Sequence, residues 1–134
     1  MFPSIPTGCE DLLKRKVCAH LVTLNEDGSP QVTPVWFDYD GTHILVNSAR
    51  GRKKDRNIRR DPRVALSILD PENDFRYLEI RGRVVEITEE GAIEHIHKLA
   101  ERYLGGNQDQ YPWPRPGEVR VIYKIAPECS STMS

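Results

Sequence analysis

The sequence predicts a mainly β fold of the α+β class, in which six antiparallel strands curl into a small barrel that carries two to three helices. Short runs of β-branched and apolar residues alternate with turn signals, as expected for hairpins. The strand-helix-strand alternation of a parallel sheet is missing. The chain has 134 residues, of which 38% are hydrophobic and 29% charged, and these are the proportions of one globular domain. We therefore expect a single domain over residues 1–134.

The first half of the chain predicts a short helix and a three-stranded meander. Asn, Asp and Gly in the two connections are typical of hairpin turns. The predicted elements are a helix at Cys9–Lys14, strands at Val17–Leu24, Gln31–Tyr39 and Thr42–Asn47, and turns at Asn25–Ser29 and Asp40–Gly41.

The second half predicts a short basic helix that Ser48 caps and that ends at Arg60, because Pro62 disfavours a helix at the residue before it. Next come strands at Arg63–Leu69 and Phe75–Ile87, an amphipathic helix from Thr88 to Gly105, a proline-rich loop, and a strand at Val119–Ile125. Gly82 inside the long strand indicates a bulge or a bend. Segments 1–8 and 129–134 are expected to be flexible.

Several classes of protein are disfavoured. No run approaches the roughly 18 apolar residues of a membrane span, and the N-terminus lacks the features of an export signal, so we expect a cytoplasmic protein without membrane contact. Cys9, Cys18 and Cys129 have no CxxC spacing, which argues for reduced thiols over a disulfide framework or a zinc cluster. His95 and His97, two residues apart on a predicted helix, are expected to be surface or interface residues, so no metal site is predicted.

Positive charge is concentrated in one segment. Arg50–Arg60 holds seven of the 19 basic residues and one acid, which leaves 12 basic and 19 acidic residues, a net charge of −7, for the rest of the chain. A strand end, a glycine and a helix start beside arginines can hold phosphate, with Asn47, Ser48 or Asn57 as neutral donors. A solvated basic helix face is an alternative reading. Nucleic-acid binding is disfavoured, because aromatic residues are not interleaved and the remaining acidic surface would repel a polyanion.

Four segments in order carry a resemblance to a known family. They are the hairpin Asp27–Phe37, the basic segment Lys54–Val64, the strand Gly82–Ile87 and the segment Gly117–Val121. Over roughly Val17–Pro127 the chain resembles the split-barrel superfamily of pyridoxamine 5′-phosphate oxidase and, within it, the class that uses the deazaflavin coenzyme F420. The resemblance implies an FMN-binding type of split β-barrel and a homodimer with the cofactor in a groove between the subunits.

The resemblance also implies a set of cofactor-binding residues. Arg52, Lys53 and Lys54 would bind the phosphate, Asn47 and Ser48 would contact the ring system or ribityl chain, Val35, Trp36 and Phe37 would line the ring, and Phe75 and Tyr77 would complete the site from the partner subunit. Ordinary packing in the core or at the subunit interface is the alternative for the aromatic residues.

The function this implies is an oxidoreductase in which reduced F420 transfers a hydride to an unsaturated small-molecule substrate. Seven basic residues suit the several negative charges of the F420 tail better than they suit the single phosphate of FMN. An FMN-dependent oxidoreductase of the pyridoxamine phosphate oxidase type and a non-catalytic flavin- or F420-binding protein remain alternatives. No catalytic side chain is assigned: Tyr77, His20 or solvent could supply a proton, and the Pro112–Pro114 loop could be a lid or simple packing.

Overall fold

The computed structural model describes residues 6, 8–105 and 111–132. The strands are β1 (Ala19–Leu24), β2 (Pro30–Val35), β3 (Phe37–Tyr39), β4 (Ile44–Ala49), β5 (Arg63–Leu69), β6 (Tyr77–Thr88) and β7 (Arg120–Ser131). The helices are a 3-10 turn at Glu10–Leu13, α1 (Lys53–Arg60) and α2 (Ala92–Leu104). Within these described ranges the strands form one sheet in the order β2-β1-β5-β6-β7-β4-β3, and each of its pairings is antiparallel.

The sheet curls because of the way the predicted strand at 31–39 divides. β2 pairs with β1 and β3 pairs with β4, so these two short strands lie at opposite edges of the sheet. Only Trp36 separates them along the chain. The covalent link brings the two edges together, which gives the predicted split barrel with one strand more than expected.

Gly82 produces the predicted irregularity in β6. The register of β6 against β7 shifts between Arg81 and Gly82, and a Cβ atom at Gly82 would lie 2.3 Å from the carbonyl oxygen of Ala126. The strands can approach this closely only because glycine has no side chain. Beyond the shift, β7 pairs with β6 as far as Ser131, opposite Glu79, so paired backbone extends into the segment 129–134 that we expected to be flexible.

Two helix starts differ from the prediction. Ser48 lies within β4 and does not cap α1, which begins at Lys53 after a turn at Gly51, where φ is +91°. The predicted cap was wrong because β4 continues through the residues that we expected to start the helix. α1 ends at Arg60, as expected from Pro62. α2 begins at Ala92 and not at Thr88, which is the last residue of β6.

The core fills the inside of the curled sheet, and α2 packs outside it against β4 and β7. The largest fully buried side chains are Tyr123, Phe37, Leu12, Leu13, Leu21, Ile44, Ile58, Leu66, Ile68, Leu78, Ile80 and Leu99. The cysteines are free, and in the described ranges no helix is long and apolar enough to cross a bilayer. The part of the fold that matters below is the space between α2, β4 and the end of β2.

Candidate functional site

A pocket of about 360 Å³ opens where β2, β4, β7 and α2 meet. Six of the predicted cofactor-binding residues line it: Val35, Trp36, Asn47, Ser48, Arg52 and Lys54. Six further residues that the sequence reasoning did not assign complete the wall: Cys18, Pro34, Ile96, Leu99, Trp113 and Arg120. The fold thus gathers most of the predicted set around one cavity.

One end of the pocket is cationic and is organised by Glu118. Its Oε1 accepts a hydrogen bond from Arg120 Nη1 at 3.0 Å, and its Oε2 accepts one from Arg52 Nη2 at 3.2 Å. Burial, together with the charges of Arg52 and Arg120, lowers the pKa of Lys54. Three cations therefore face the pocket against one carboxylate, and this end of the pocket attracts an anion.

Ser48 lines the pocket, but its side chain belongs to the core face of β4. It pairs with Val121 of β7, whereas Arg120 pairs with Ala49, and neighbouring positions of a strand face opposite sides of the sheet. The buried Ser48 hydroxyl therefore lies on the side of the Tyr123 hydroxyl, with which it interacts.

Asn47 links the cationic end to α2. Its Oδ1 accepts from Arg120 Nε at 2.9 Å, and its Nδ2 donates to the Ala92 carbonyl at 2.8 Å. With the amide oriented in this way, Asn47 Nδ2 also donates to His95 Nδ1 at 3.2 Å. Since Nδ1 accepts, the proton of the neutral imidazole lies on Nε2, and this atom is 3.7 Å from Asp38 Oδ2. Burial lowers the pKa of His95, against the opposing effect of Asp38. His95 is 8% exposed, because its face of α2 packs on the sheet, so of the two expected places, surface or interface, the surface is wrong for this residue.

The other end of the pocket is aromatic and apolar. The Trp36 ring stacks on Tyr103 with centroids 5.1 Å apart and an interplanar angle of 9°, and Trp113 meets it edge-on at 5.8 Å. The Tyr103 hydroxyl donates to the Val17 carbonyl at 2.7 Å, and His97 Nε2 lies 2.6 Å from the Trp113 carbonyl. The loop at Pro112–Pro114 is therefore held against α2 and forms part of the pocket wall.

Three of the predicted residues lie elsewhere. Phe37 is fully buried in the core, which it enters as the first residue of β3. Lys53 lines a separate surface pocket of about 310 Å³ on the other side of α1, together with Arg56 and Arg60. Asn57 is buried, and its amide donates to Thr23 and Asn25, so it joins α1 to β1.

The two residues predicted to act across a subunit interface are also outside this pocket. Phe75 is 74% exposed in the turn between β5 and β6, and Tyr77 begins β6. His20, the other proton donor considered, is exposed on β1. The contribution of Phe75 and Tyr77 to a partner's groove stays a prediction.

Asp55 positions the cationic end, although it does not line the pocket. It is 1% exposed and accepts hydrogen bonds from Gly51 N–H at 2.9 Å, Arg59 Nε at 3.0 Å and the Tyr123 hydroxyl at 2.8 Å. Burial opposes its charge, yet these hydrogen bonds keep its pKa below the ordinary value, while burial raises the pKa of Tyr123. The start of α1, and with it Lys54, is thereby tied to β7.

Sequence reasoning missed Asp55, Glu118 and Arg120 as functional or supporting residues. Asp55 did carry a signal, as the one acid in the basic segment. Glu118 and Arg120 fell in a segment that supported the resemblance, but nothing in their spacing indicated that β7 would place them beside Arg52.

Comparison with known proteins is consistent with this arrangement. The family model described as pyridoxamine 5′-phosphate oxidase matches residues 5–129. An F420H(2)-dependent biliverdin reductase of Mycobacterium tuberculosis is 30% identical over 115 residues, which cover 84% of this chain and 77% of that protein. A solved structure named F420 reductase superposes with a TM-score of 0.86 at 39% identity and covers 95% of this chain and 98% of its own. The structure of a conserved hypothetical protein from Mycobacterium tuberculosis has a TM-score of 0.73 at 27% identity and covers 96% and 84%.

Proposed function

This chain belongs to the pyridoxamine 5′-phosphate oxidase family, and from that premise we propose that it is an oxidoreductase that uses coenzyme F420. The observation that carries the proposal is the division of one pocket into two chemically different ends. Arg52, Lys54 and Arg120 lie at one end, and Trp36 and Trp113 lie at the other. This arrangement suits an elongated ligand with a planar ring at one end and a phosphate-bearing chain at the other.

The residues present fit such a cofactor. Arg52, Lys54 and Arg120 line the pocket, where their N–H groups would donate to the oxygens of a phosphate. Val35 and Trp36 offer an apolar wall to a ring system. When bound, reduced F420 supplies a hydride to an unsaturated small molecule.

The protein's part in the proposed reaction is binding, orientation and exclusion of water. Arg52 and Lys54 would anchor the charged tail, which limits sliding of the ring along the pocket. Trp36 is held by its stacking on Tyr103, so it presents a rigid wall. Ile96 and Leu99 on α2 keep the ring end of the pocket apolar.

Two considerations favour F420 over FMN. The F420 tail carries several negative charges, and the cationic end of the pocket holds three cations, Arg52, Lys54 and Arg120, against the one carboxylate of Glu118. Two of the similar proteins carry F420 in their names, at 30% and 39% identity. One of them is a biliverdin reductase, so biliverdin is the first substrate that we propose to test.

We also propose that the protein acts as a homodimer in which Phe75 approaches the partner's groove. Phe75 is the most exposed large apolar side chain in the described part of the chain, at 74%. Aromatic residues are enriched at protein–protein interfaces, so this exposed ring is a candidate contact for a second subunit.

The test is a titration of cofactor-free protein with F420 and with FMN, followed by fluorescence at low and at high salt. We expect micromolar or tighter binding of F420, weakened by salt, with FMN clearly poorer. The reverse order would assign the chain to FMN chemistry, and binding of neither would contradict the proposal. Loaded, reduced protein is then mixed with biliverdin and with other unsaturated compounds, and tight binding without reoxidation of F420 by any of them would indicate a non-catalytic binding protein.

A further inference from the structure

His95 is a buried titratable side chain that does not itself line the pocket. It is 8% exposed, and its Nε2 makes no hydrogen bond within the described ranges, at 3.7 Å from Asp38 Oδ2. Its other ring nitrogen, Nδ1, lies 3.2 Å from Asn47 Nδ2. Asn47 does line the pocket, so the imidazole of α2 is connected to the pocket wall through a single amide group.

The orientation of the Asn47 amide is fixed by two partners of opposite polarity. The Arg120 guanidinium can only donate, so its Nε must face Asn47 Oδ1, at 2.9 Å. The Ala92 carbonyl can only accept, so it must face Asn47 Nδ2, at 2.8 Å. The second hydrogen of Nδ2 is left for His95 Nδ1, and this nitrogen therefore has to be an acceptor.

Protonation of His95 is incompatible with this arrangement. An imidazolium carries a hydrogen on both ring nitrogens, so Nδ1–H would face the NH2 group of Asn47. Rotating the amide by a half-turn would satisfy Nδ1, but it would turn the NH2 group against the Arg120 guanidinium and Oδ1 against the Ala92 carbonyl. The ring and the amide must therefore separate. The neutral imidazole supports the amide that orients Arg120, and the charged imidazole repels it.

The charged groups around His95 determine when it takes up a proton. Burial lowers the pKa of His95, the carboxylate of Asp38 opposes this effect, and the ammonium group of Lys98 adds to it. Asp38 is itself shared, because Lys98 Nζ lies 3.3 Å and Arg102 Nη1 lies 3.6 Å from its oxygens. The charged residues of β7 that point away from the core are Arg120, which reaches His95 only through Asn47, and Lys124, which pairs with Glu86.

We propose that His95 is a positioning residue for the cofactor pocket: its neutral form holds Asn47, and through Asn47 it orients Arg120 for the cofactor, whereas its protonation weakens cofactor binding. The inference rests on the proposed function and adds a control group that does not touch the ligand. The positive charge gained by the ring could by itself attract an anion. The Asp38 carboxylate, 3.7 Å from Nε2, offsets that charge, so the loss of support for Arg120 decides the direction of the effect.

The first experiment measures F420 affinity as a function of pH. Dissociation constants are determined by fluorescence from about pH 7.5 to about pH 4.5 for the wild type, His95→Asn and His43→Asn. The Oδ1 atom of the new asparagine takes the place of Nδ1 as an acceptor for Asn47 but does not titrate. His43 lies in the turn between β3 and β4 and does not line the pocket, so it controls for the loss of a histidine. The ionisation of F420 itself is common to the three proteins.

We expect the wild type and His43→Asn to lose about twofold to tenfold more affinity than His95→Asn as the pH falls, the range that one hydrogen bond contributes. The neutral ring is the competent form and burial lowers its pKa, so the loss should occur below pH 6.5. Equal pH profiles for the wild type and His95→Asn would overturn the proposal. A wild-type affinity that rises relative to His95→Asn on acidification would overturn it as well, because the added charge would then outweigh the lost support.

Nitrogen-15 NMR of the cofactor-free protein tests the same link without a ligand. The neutral ring of His95 should be the Nε2–H tautomer. As the pH falls, the Arg120 Nε–H signal should move towards the position of a free guanidinium with the same midpoint as the protonation of His95, and it should stay in place in His95→Asn. The Nδ1–H tautomer, or an Arg120 signal that does not respond when His95 is protonated, would overturn the proposal.

The NMR titration also separates this proposal from the proposed function. If the protein binds neither F420 nor FMN, the proposed function fails, whereas a shared midpoint of His95 and Arg120 would still support the positioning role. If His95→Asn does not fold, the wild-type titration is sufficient, because two different midpoints for His95 and Arg120 would overturn the proposal. The absence of any titration of His95 down to about pH 4.5 would overturn it too.

Discussion

Asn47 Nδ2 lies 3.2 Å from His95 Nδ1, so a buried imidazole on α2 shares a hydrogen bond with the amide that holds Arg120. The neutral ring accepts this hydrogen bond. A protonated ring would place an N–H group against the amide NH2 and would break the link. The groups that face His95 are Asp38, Lys98 and Asn47.

The first prediction concerns stability against pH. Burial lowers the pKa of folded His95 below 6.5, so the unfolded chain takes up this proton first as the pH falls. The contribution of His95 to the free energy of unfolding is therefore complete well above pH 6.5 and is lost as the pH falls from there towards the folded-state pKa. His95→Gln should remove a slope of at most about 1.4 kcal/mol per pH unit from this window. Urea unfolding from about pH 7.5 to about pH 5 measures it, and parallel curves for wild type and variant would contradict the prediction.

The second prediction concerns the Asp55 cluster. Asp55→Asn should lower the free energy of unfolding by about 2 to 3 kcal/mol near neutral pH. The NH2 group of the new amide would face the Tyr123 hydroxyl or the Gly51 N–H, and both of these donate to Asp55 in the wild type. Tyr123→Phe removes one hydrogen bond and should cost about 1 to 2 kcal/mol.

The acid limb checks the same cluster. The pKa of Asp55 in the folded protein is below its ordinary value of 3.8. The stabilisation that Asp55 provides is therefore fully present at pH values above 3.8 and is lost as the pH falls through the folded-state pKa. The wild type and Asp55→Asn should therefore converge in stability in that acid range. A constant gap at every pH would indicate that packing, and not the charge, accounts for the difference.

A third prediction uses two adjacent lysines. Lys54 lines the pocket, whereas Lys53 lies on the other side of α1. Lys54→Ala should weaken F420 binding by about tenfold or more, because it removes a partly buried cation, and Lys53→Ala should weaken it by less than about threefold, through long-range charge alone. Calorimetric titration at a fixed salt concentration gives both affinities.

The thermal midpoints of the cofactor-free proteins serve as the control. Both lysine variants should melt within a small margin of the wild type, as is usual for surface positions. Unfolding of cofactor-free Lys54→Ala would assign Lys54 a structural role. Equal losses of affinity in the two variants would show that the tail spans both sides of α1.

The fourth prediction concerns the bulge in β6. Gly82→Ala should destabilise the protein by about 2 kcal/mol or more, because the new methyl group would lie 2.3 Å from the Ala126 carbonyl oxygen and one strand must move. Gly28→Ala is the matched control: φ is +87° there, but nothing lies within 4 Å of the added Cβ, so it should cost about 1 kcal/mol. Guanidinium unfolding compares them, and the reverse order of stabilities would show that the two strands accommodate the methyl group.

Local features of the sequence predicted most of the fold. β-branched alternation placed the strands, Asn25–Ser29 and Asp40–Gly41 marked the hairpins, and Pro62 ended α1. These signals act over a few residues, so one sequence is enough to interpret them. The prediction failed where a long-range pairing overrides local preference. Trp36 divides an apparent single strand because its two halves have different partners, and Ser48 stays in β4 because β7 pairs with it.

The candidate site divides in the same way. The basic segment and its neighbouring polar residues were visible in the chain, because charge density and a strand-glycine-helix order are properties of neighbouring residues. The sequence did not show which lysine faces the pocket. It also did not show that Glu118 and Arg120 hold the cationic end, because β7 lies about seventy residues along the chain from β4. Sequence alone therefore predicted an anion site, and only the pairing of β4 with β7 placed a buried arginine and a shared carboxylate beside Arg52 at the end of the pocket, since such groups meet only when distant strands are joined.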